Sequence, residues 1–261
     1  MGENRSGAGP EVRLSALTAR GVGGAAADNT LKPPPDRLYG RARGHKLRPR
    51  QEKLLHLTLP RLAFASGDAA DPLSAFIPRP SELWVEVGSG AGEHALAQTA
   101  QNPRAGLIAC EVFANGLCSL LSRLVPEEGE ATAPLPGNLR LWADDARALL
   151  RLLPDRSVDR LFLLFPDPWP KARHAKRRLV HPALLPLFAR VLRPGAEWRV
   201  ASDDPTYQAW VVEVMAGQAL FDAPLAARER PHGWPPTRYE AKALREGRQP
   251  CYWTFARRMD G

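Results

Sequence analysis

The sequence predicts an α/β fold: a doubly wound, mostly parallel sheet with an antiparallel C-terminal edge strand. Three observations carry this. From Leu83 to Asp204, short apolar runs alternate with segments of helical periodicity, the pattern of β-α-β units joined by right-handed crossovers. The first run ends in a glycine-rich turn, EVGSGAG, at the end of the sheet where folds of this class bind ligands. A later run, VDRLFLLF, is apolar at all but two positions, as a strand buried on both faces must be.

Taken in order, residues 1–35 form a tail dominated by Gly and Ala, which cannot bury enough apolar surface to order itself. Residues 36–261 read as a single domain, long enough for a substantial core. It opens on a basic arm, 36–56, in which Arg37, Arg41, Arg43, Lys46, Arg48, Arg50 and Lys53 face one acid, Glu52. Charge of that density predicts an arm lying on phosphates. Strands follow at 83–88, 106–112, in NLRLWADDA from 138, at 158–165 and at 197–204; helices are predicted over 92–101, 115–125 and 181–192. A Pro/Gly/Ala loop spans 126–137, and the C-terminal third reads as a loop followed by closing strands.

Composition limits the function classes. The chain has 36 Lys+Arg against 28 Asp+Glu, a net charge of +8, and a balance of that sign favours polyanionic partners, nucleic acid foremost. Cys110, Cys118 and Cys251 are too few and too scattered for a disulfide framework or a zinc site, which points to a reducing cytosol and no metal. No run of about 18 apolar residues exists to span a membrane, and the N-terminus carries no apolar core of a secretory signal. A cytoplasmic protein is expected; nothing in the chain fixes its oligomeric state.

The chemistry-bearing residues fall at strand ends. Gly88, Gly90 and Gly92 allow a tight turn and close approach to a ligand. A dinucleotide fingerprint would need a glycine at 93, where Glu93 stands. An acid two residues before the first glycine, Glu86, suits a nucleoside without pyrophosphate. Glu111 ends the second strand, where a carboxylate accepts from two ribose hydroxyls. Asp145 follows the third strand and can accept from an adenine amino group, with Asp144 competing for that role. Together these describe S-adenosylmethionine (SAM) binding more closely than NAD.

The corner FPDPWP, 165–170, is followed by KARHAKRR. Phe165, Asp167 and Trp169 each precede a proline and are expected to be extended. Pro166, Pro168 and Pro170 lack N–H groups, so the loop is rich in acceptors, complementary to the N1–H and N2–H of a guanine. Trp169 offers a stacking face.

Through EVGSGAGEH, GLIACEVFANG, FPDPWPKARHAKRRL, ASDDPTYQAW and TRYEAKALREGR the chain resembles the bacterial tRNA (guanine-N7)-methyltransferases of the TrmB family, over roughly residues 37–258. The long tail and Ser89 depart from the family pattern. The resemblance implies a Rossmann-like SAM-dependent methyltransferase fold and methyl transfer to N7 of guanine 46 in the tRNA variable loop. It implies that Glu86, Gly88, Gly90, Glu111, Asp145 and Asp167 bind SAM, with Asp167 also catalytic. Lys171, Asp203, Thr237, Arg238, Tyr239 and Glu240 would contact substrate, and Arg173, His174, Lys176, Arg177 and Arg178 would meet RNA. Three other readings compete: a nicotinamide dehydrogenase, a methyltransferase of exocyclic amines, and a non-catalytic RNA-binding module that would leave Glu86, Glu111 and Asp145 without a task.

Overall fold

A computed structural model describes residues 44–222 and 226–259. The expected tail, and Arg37, Arg41 and Arg43 of the basic arm, lie outside them. Six strands form one sheet in the order β3-β2-β1-β4-β5-β6. They are β1 (Glu82–Val87), β2 (Ala105–Cys110), β3 (Leu139–Trp142), β4 (Val158–Leu164), β5 (Leu192–Ser202) and β6 (Cys251–Ala256). Every neighbouring pair is parallel except β5 with β6, which is antiparallel. The predicted fold class is the observed one.

The helices are α1, continuous from Pro49–Lys53 through a π-helical turn at Leu54–Thr58 to Leu59–Leu62; α2 (Glu93–Gln101); α3 (Ala114–Leu124); α4 (Ala146–Leu152); α5 (Leu185–Val191); α6 (Pro205–Ala216); and α7 (Arg238–Arg245). Alternation along β1 divides the core. Leu83, Val85 and Val87 join Leu149, Phe188, Trp198 and Val211 on one face. Trp84 joins Leu54, Ala95, Leu107, Leu120 and Phe162 on the other. Both faces are therefore covered by helices, as the largely apolar runs of β2 and β4 require.

Three expectations need correction. The closing segment pairs as one strand, β6, after a helix, α7. The strand expected from 197 begins at Leu192, because Leu192 pairs with Val158 and the ladder resumes at Arg160–Glu197 after an irregularity. Gly195, at φ 79°, absorbs the bend between them. The helix expected from His181 begins at Leu185, since His181–Leu184 are taken up by a turn in which the His181 carbonyl accepts from the Leu184 N–H at 2.8 Å.

The basic arm is less free than its charge suggests. Arg50 donates to Glu130 at 3.2 Å and to the Val125 carbonyl at 2.9 Å, docking α1 on the loop after α3. Lys46, Arg48 and Lys53 remain exposed.

Candidate active site

The sheet order reverses between β1 and β4, and a cavity of about 760 Å³ opens there, at the carboxyl ends of the strands. Its position is the one expected for an open α/β sheet, and its size suits a nucleoside-sized ligand. The glycine loop, Glu111, Asp144, Asp145, the corner from Phe165 to Asp167, Trp169, Arg238 and Tyr239 all line it.

Gly88, Gly90 and Gly92 have φ of 77°, 56° and 78°, a region costly for any residue with a Cβ. At Gly88 an added Cβ would meet nothing within 4 Å, so a side chain would fill the cavity rather than its wall. At Gly92 it would run into the Leu120 side chain; glycine there lets α3 close onto the loop.

Glu111 ties the loop to its neighbour. One carboxylate oxygen accepts from the Gly90 N–H at 2.6 Å, and the other from the Phe113 N–H at 2.8 Å. Each oxygen retains capacity for a second donor, and the group is 9% exposed at the cavity wall.

Asp144 and Asp145 both reach the cavity. Asp145 caps α4 by accepting from the Arg147 N–H at 2.9 Å, and its carboxylate lies 2.5 Å from the Arg147 guanidinium. Burial raises its pKa, but the Arg147 hydrogen bonds and charge outweigh burial and hold it below the ordinary carboxylate range. A depressed folded pKa contributes stability above the unfolded value, and that contribution fades as pH falls through the folded one. Asp145→Asn keeps the cap, because an amide oxygen can also accept from the Arg147 N–H, but loses the charged contact to the Arg147 guanidinium. It should therefore destabilise the protein by about 1 kcal/mol at pH 7, the difference between a charge-assisted and a neutral hydrogen bond. The gap to the parent should narrow below about pH 4, near the ordinary aspartate value; urea unfolding at pH 7 and pH 3 measures it.

Cys110 lies in the same wall. Burial pushes its thiol well up, and the carboxylates of Glu86, Glu111 and Asp145 push it further. Carboxylates thus cluster around Cys110 at this end of the cavity.

Glu86 does not line the cavity. It is 3% exposed, with one carboxylate oxygen 3.0 Å from His94 Nδ1. His94 Nε2 lies 3.2 Å from Gln98 Nε2, and the ring packs edge-on against Phe162. The acid expected to touch cofactor sits one layer below the glycine loop.

The corner departs from expectation. Phe165 and Trp169 adopt φ of 51° and 45°, left-handed rather than extended. Tertiary contacts override the local proline rule: the Phe165 N–H donates to the Ala201 carbonyl at 2.8 Å, and its ring meets Tyr252 edge-on. Asp167 is exposed at the cavity rim, and Trp169 is half-buried. The Arg177 guanidinium lies 4.7 Å over the Trp169 ring, and His174 packs against its edge. Burial and the surrounding Arg177, Arg173, Lys171 and Lys176 keep the His174 imidazole below its ordinary range.

The remaining expected residues divide. Lys171 and Arg173 are exposed, Lys176 is half-buried, and none of the three lines the cavity. Asp203 is also outside the lining and pairs with Arg248 at 2.6 Å. Thr237 and Glu240 form a capping box at the start of α7. Glu240, 7% exposed, also accepts from Tyr252 Oη at 2.7 Å and Arg230 Nε at 3.0 Å. This scaffold brings Arg238 and Tyr239 to the cavity against Gly90. Arg177 and Arg178 both line the cavity, and Arg178 is only 4% exposed. Sequence reading missed Arg147 as a wall residue; an arginine two positions after a capping aspartate was its one signal. Among the described residues, no group of three or more His, Cys, Asp or Glu could hold a metal ion.

Residues 80–252, well over half of the chain, match a family described as “Putative methyltransferase”. A tRNA (guanine-N(7)-)-methyltransferase of Granulibacter bethesdensis is 64% identical over 88% of this chain and 99% of its own length. Its counterpart in Rhodospirillum rubrum is 47% identical, over 87% of this chain and 90% of its own. Among solved structures, the 16S rRNA methyltransferase KamB aligns with a TM-score of 0.56 at 20% identity, covering 78% of this chain and 99% of that one; the likeness is one of fold.

Proposed function

Because the chain belongs to the tRNA (guanine-N(7)-)-methyltransferase family, we propose that it transfers a methyl group from SAM to N7 of a guanine in tRNA, at position 46 of the variable loop. The observation that carries this reading is one cavity with two unlike ends. One end is a glycine cradle with carboxylates, and the other is a proline corner presenting Asp167.

The residues fit SAM. A Cβ at Gly88 would occupy the space that such a ligand needs, and the carboxylates of Glu111, Asp144 and Asp145 in the lining offer acceptors to its hydroxyl and amino groups. Glu111 would take the ribose hydroxyls, and Asp145 or Asp144 the adenine edge. When bound, SAM supplies an electrophilic methyl group.

Guanine N7 carries a free lone pair, so the chain need not remove a proton before attack. Asp167 has two tasks at the rim: accepting hydrogen bonds from the base, and opposing the positive charge that develops on the purine. Both are positioning and electrostatic tasks. His174 packs edge-on against Trp169 and braces it. Lys171, Arg173 and Lys176 stand next to the corner in sequence and would grip phosphates while the cavity selects the base. Three buried free cysteines fit a reducing, cytosolic setting. Among the described residues, no helix is long and apolar enough to cross a membrane.

Two measurements test this reading. A tRNA carrying adenine in place of guanine 46 should lose methyl incorporation from labelled SAM; retained incorporation would move the target elsewhere. Arg173→Gln combined with Lys176→Gln should weaken tRNA binding and flatten its salt dependence by about 0.9 in slope per lost duplex phosphate contact. An unaltered slope would make the strip a solvated face.

A further inference from the structure

We propose that Arg178 is a positioning residue for methyl transfer, clamping the proline corner from inside, and is not a phosphate contact. Resting on the methyl-transfer reading above, it assigns that corner's geometry to one side chain. Arg178 is 4% exposed. Its Nε donates to the Pro168 carbonyl at 3.1 Å and its second terminal nitrogen to the Trp169 carbonyl at 3.0 Å. The guanidinium also lies 4.9 Å over the Trp210 ring of α6.

The corner needs such a clamp. Pro166, Pro168 and Pro170 have no N–H to donate, so this segment cannot secure itself through a backbone ladder of its own. Phe165 and Trp169 hold left-handed φ values, which persist only where the surroundings fix them. Arg178 supplies two donors in one plane to two successive carbonyls, one and two residues beyond Asp167. That planar fork is a property of guanidinium that an ammonium lacks. The clamp is anchored in turn: Trp210 Nε1 donates to the Val180 carbonyl at 2.5 Å, and the Val180 N–H donates to Tyr207 Oη at 3.3 Å. Both aromatic residues belong to α6, so the corner is referenced to a rigid helix. Asp167 is thereby carried on a loop whose next two carbonyls are fixed.

The test compares Arg178→Lys and Arg178→Gln with the parent in two assays: single-turnover methylation at saturating SAM and tRNA, and equilibrium tRNA binding across salt concentrations. A misplacement of about 1 Å at a reacting centre costs roughly 100-fold in rate, and both variants should lose about that much. Their tRNA affinity and its salt slope should stay within about twofold of the parent's. A phosphate contact predicts the opposite: Gln would lose affinity and lower the slope, while Lys, keeping the charge, would restore both affinity and rate. Either result overturns the clamp. If Gln compromises folding, judged by circular dichroism, the Lys variant, with its charge and long stem, decides alone. If the parent protein itself fails to methylate tRNA, the underlying functional reading fails, and the binding arm still separates clamp from phosphate contact.

Discussion

Asp167→Asn should lower single-turnover methylation by roughly tenfold to a thousandfold, the range for removing an electrostatic stabiliser rather than a nucleophile. The side chain is exposed at the cavity rim, so the change should cost the fold little. Asn keeps the size and one acceptor but removes the negative charge. In the proposed reaction, positive charge appears on the purine as N7 gains its methyl group. A fixed carboxylate beside the ring lowers the energy of that state more than that of the neutral base. The loss should therefore appear in the chemical step, measured with SAM saturating. A full-rate Asn variant would show that the charge is unused and that the corner acts by shape alone.

Glu111→Ala should weaken SAM binding by about 3 kcal/mol, or two orders of magnitude in Kd, by calorimetry. Two losses combine. The ribose hydroxyls lose an ionised acceptor, and the Gly90 and Phe113 N–H groups lose theirs. The second loss loosens the glycine cradle itself, so thermal stability should fall alongside affinity. Glu111→Gln is the informative companion. Its amide would set an NH₂ against one of the two backbone donors, so restoring the volume should not restore binding. Unchanged SAM affinity in either variant would remove Glu111 from the site.

What was legible in the sequence follows from the physics of each element. The strands β1, β2 and β4 are buried on both faces, so their apolar runs stand out locally, and so do α2 and α3 between them. By contrast, α6 carries Trp210, Val211, Val214 and Met215 in its buried positions yet remains apolar overall, which blurs any stripe. Its start was nonetheless marked, by Asp204 accepting from the Tyr207 N–H with Pro205 in the first turn. Helix α1 lay hidden under charge, because Arg50 serves inside the molecule while Arg48 and Lys53 face water.

The candidate site was legible as chemistry more than as geometry. Gly88, Gly90, Glu111, Asp145 and Asp167 do converge on one cavity. Glu86 does not line it, because side chains alternate along β1 and His94 holds this one beneath the loop. Thr237 and Glu240, which the resemblance places against substrate, form the capping box of α7, a structural role that the motif alone does not reveal. Nor could local rules anticipate the turn of Phe165, whose backbone partner, Ala201, lies on another strand. The strip 171–178 gives no sign of which cation faces inward; only the fold around α6 distinguishes Arg178 from Arg173.

In the proposed reaction one cavity brings SAM and a tRNA guanine together for transfer to N7. The most direct test of that reaction is nucleoside analysis of unmodified tRNA after incubation with the protein and SAM. The expected new nucleoside is 7-methylguanosine, at up to one per tRNA. A methyl group on an exocyclic amine, or no methylated nucleoside with active protein that binds both SAM and tRNA, would contradict it.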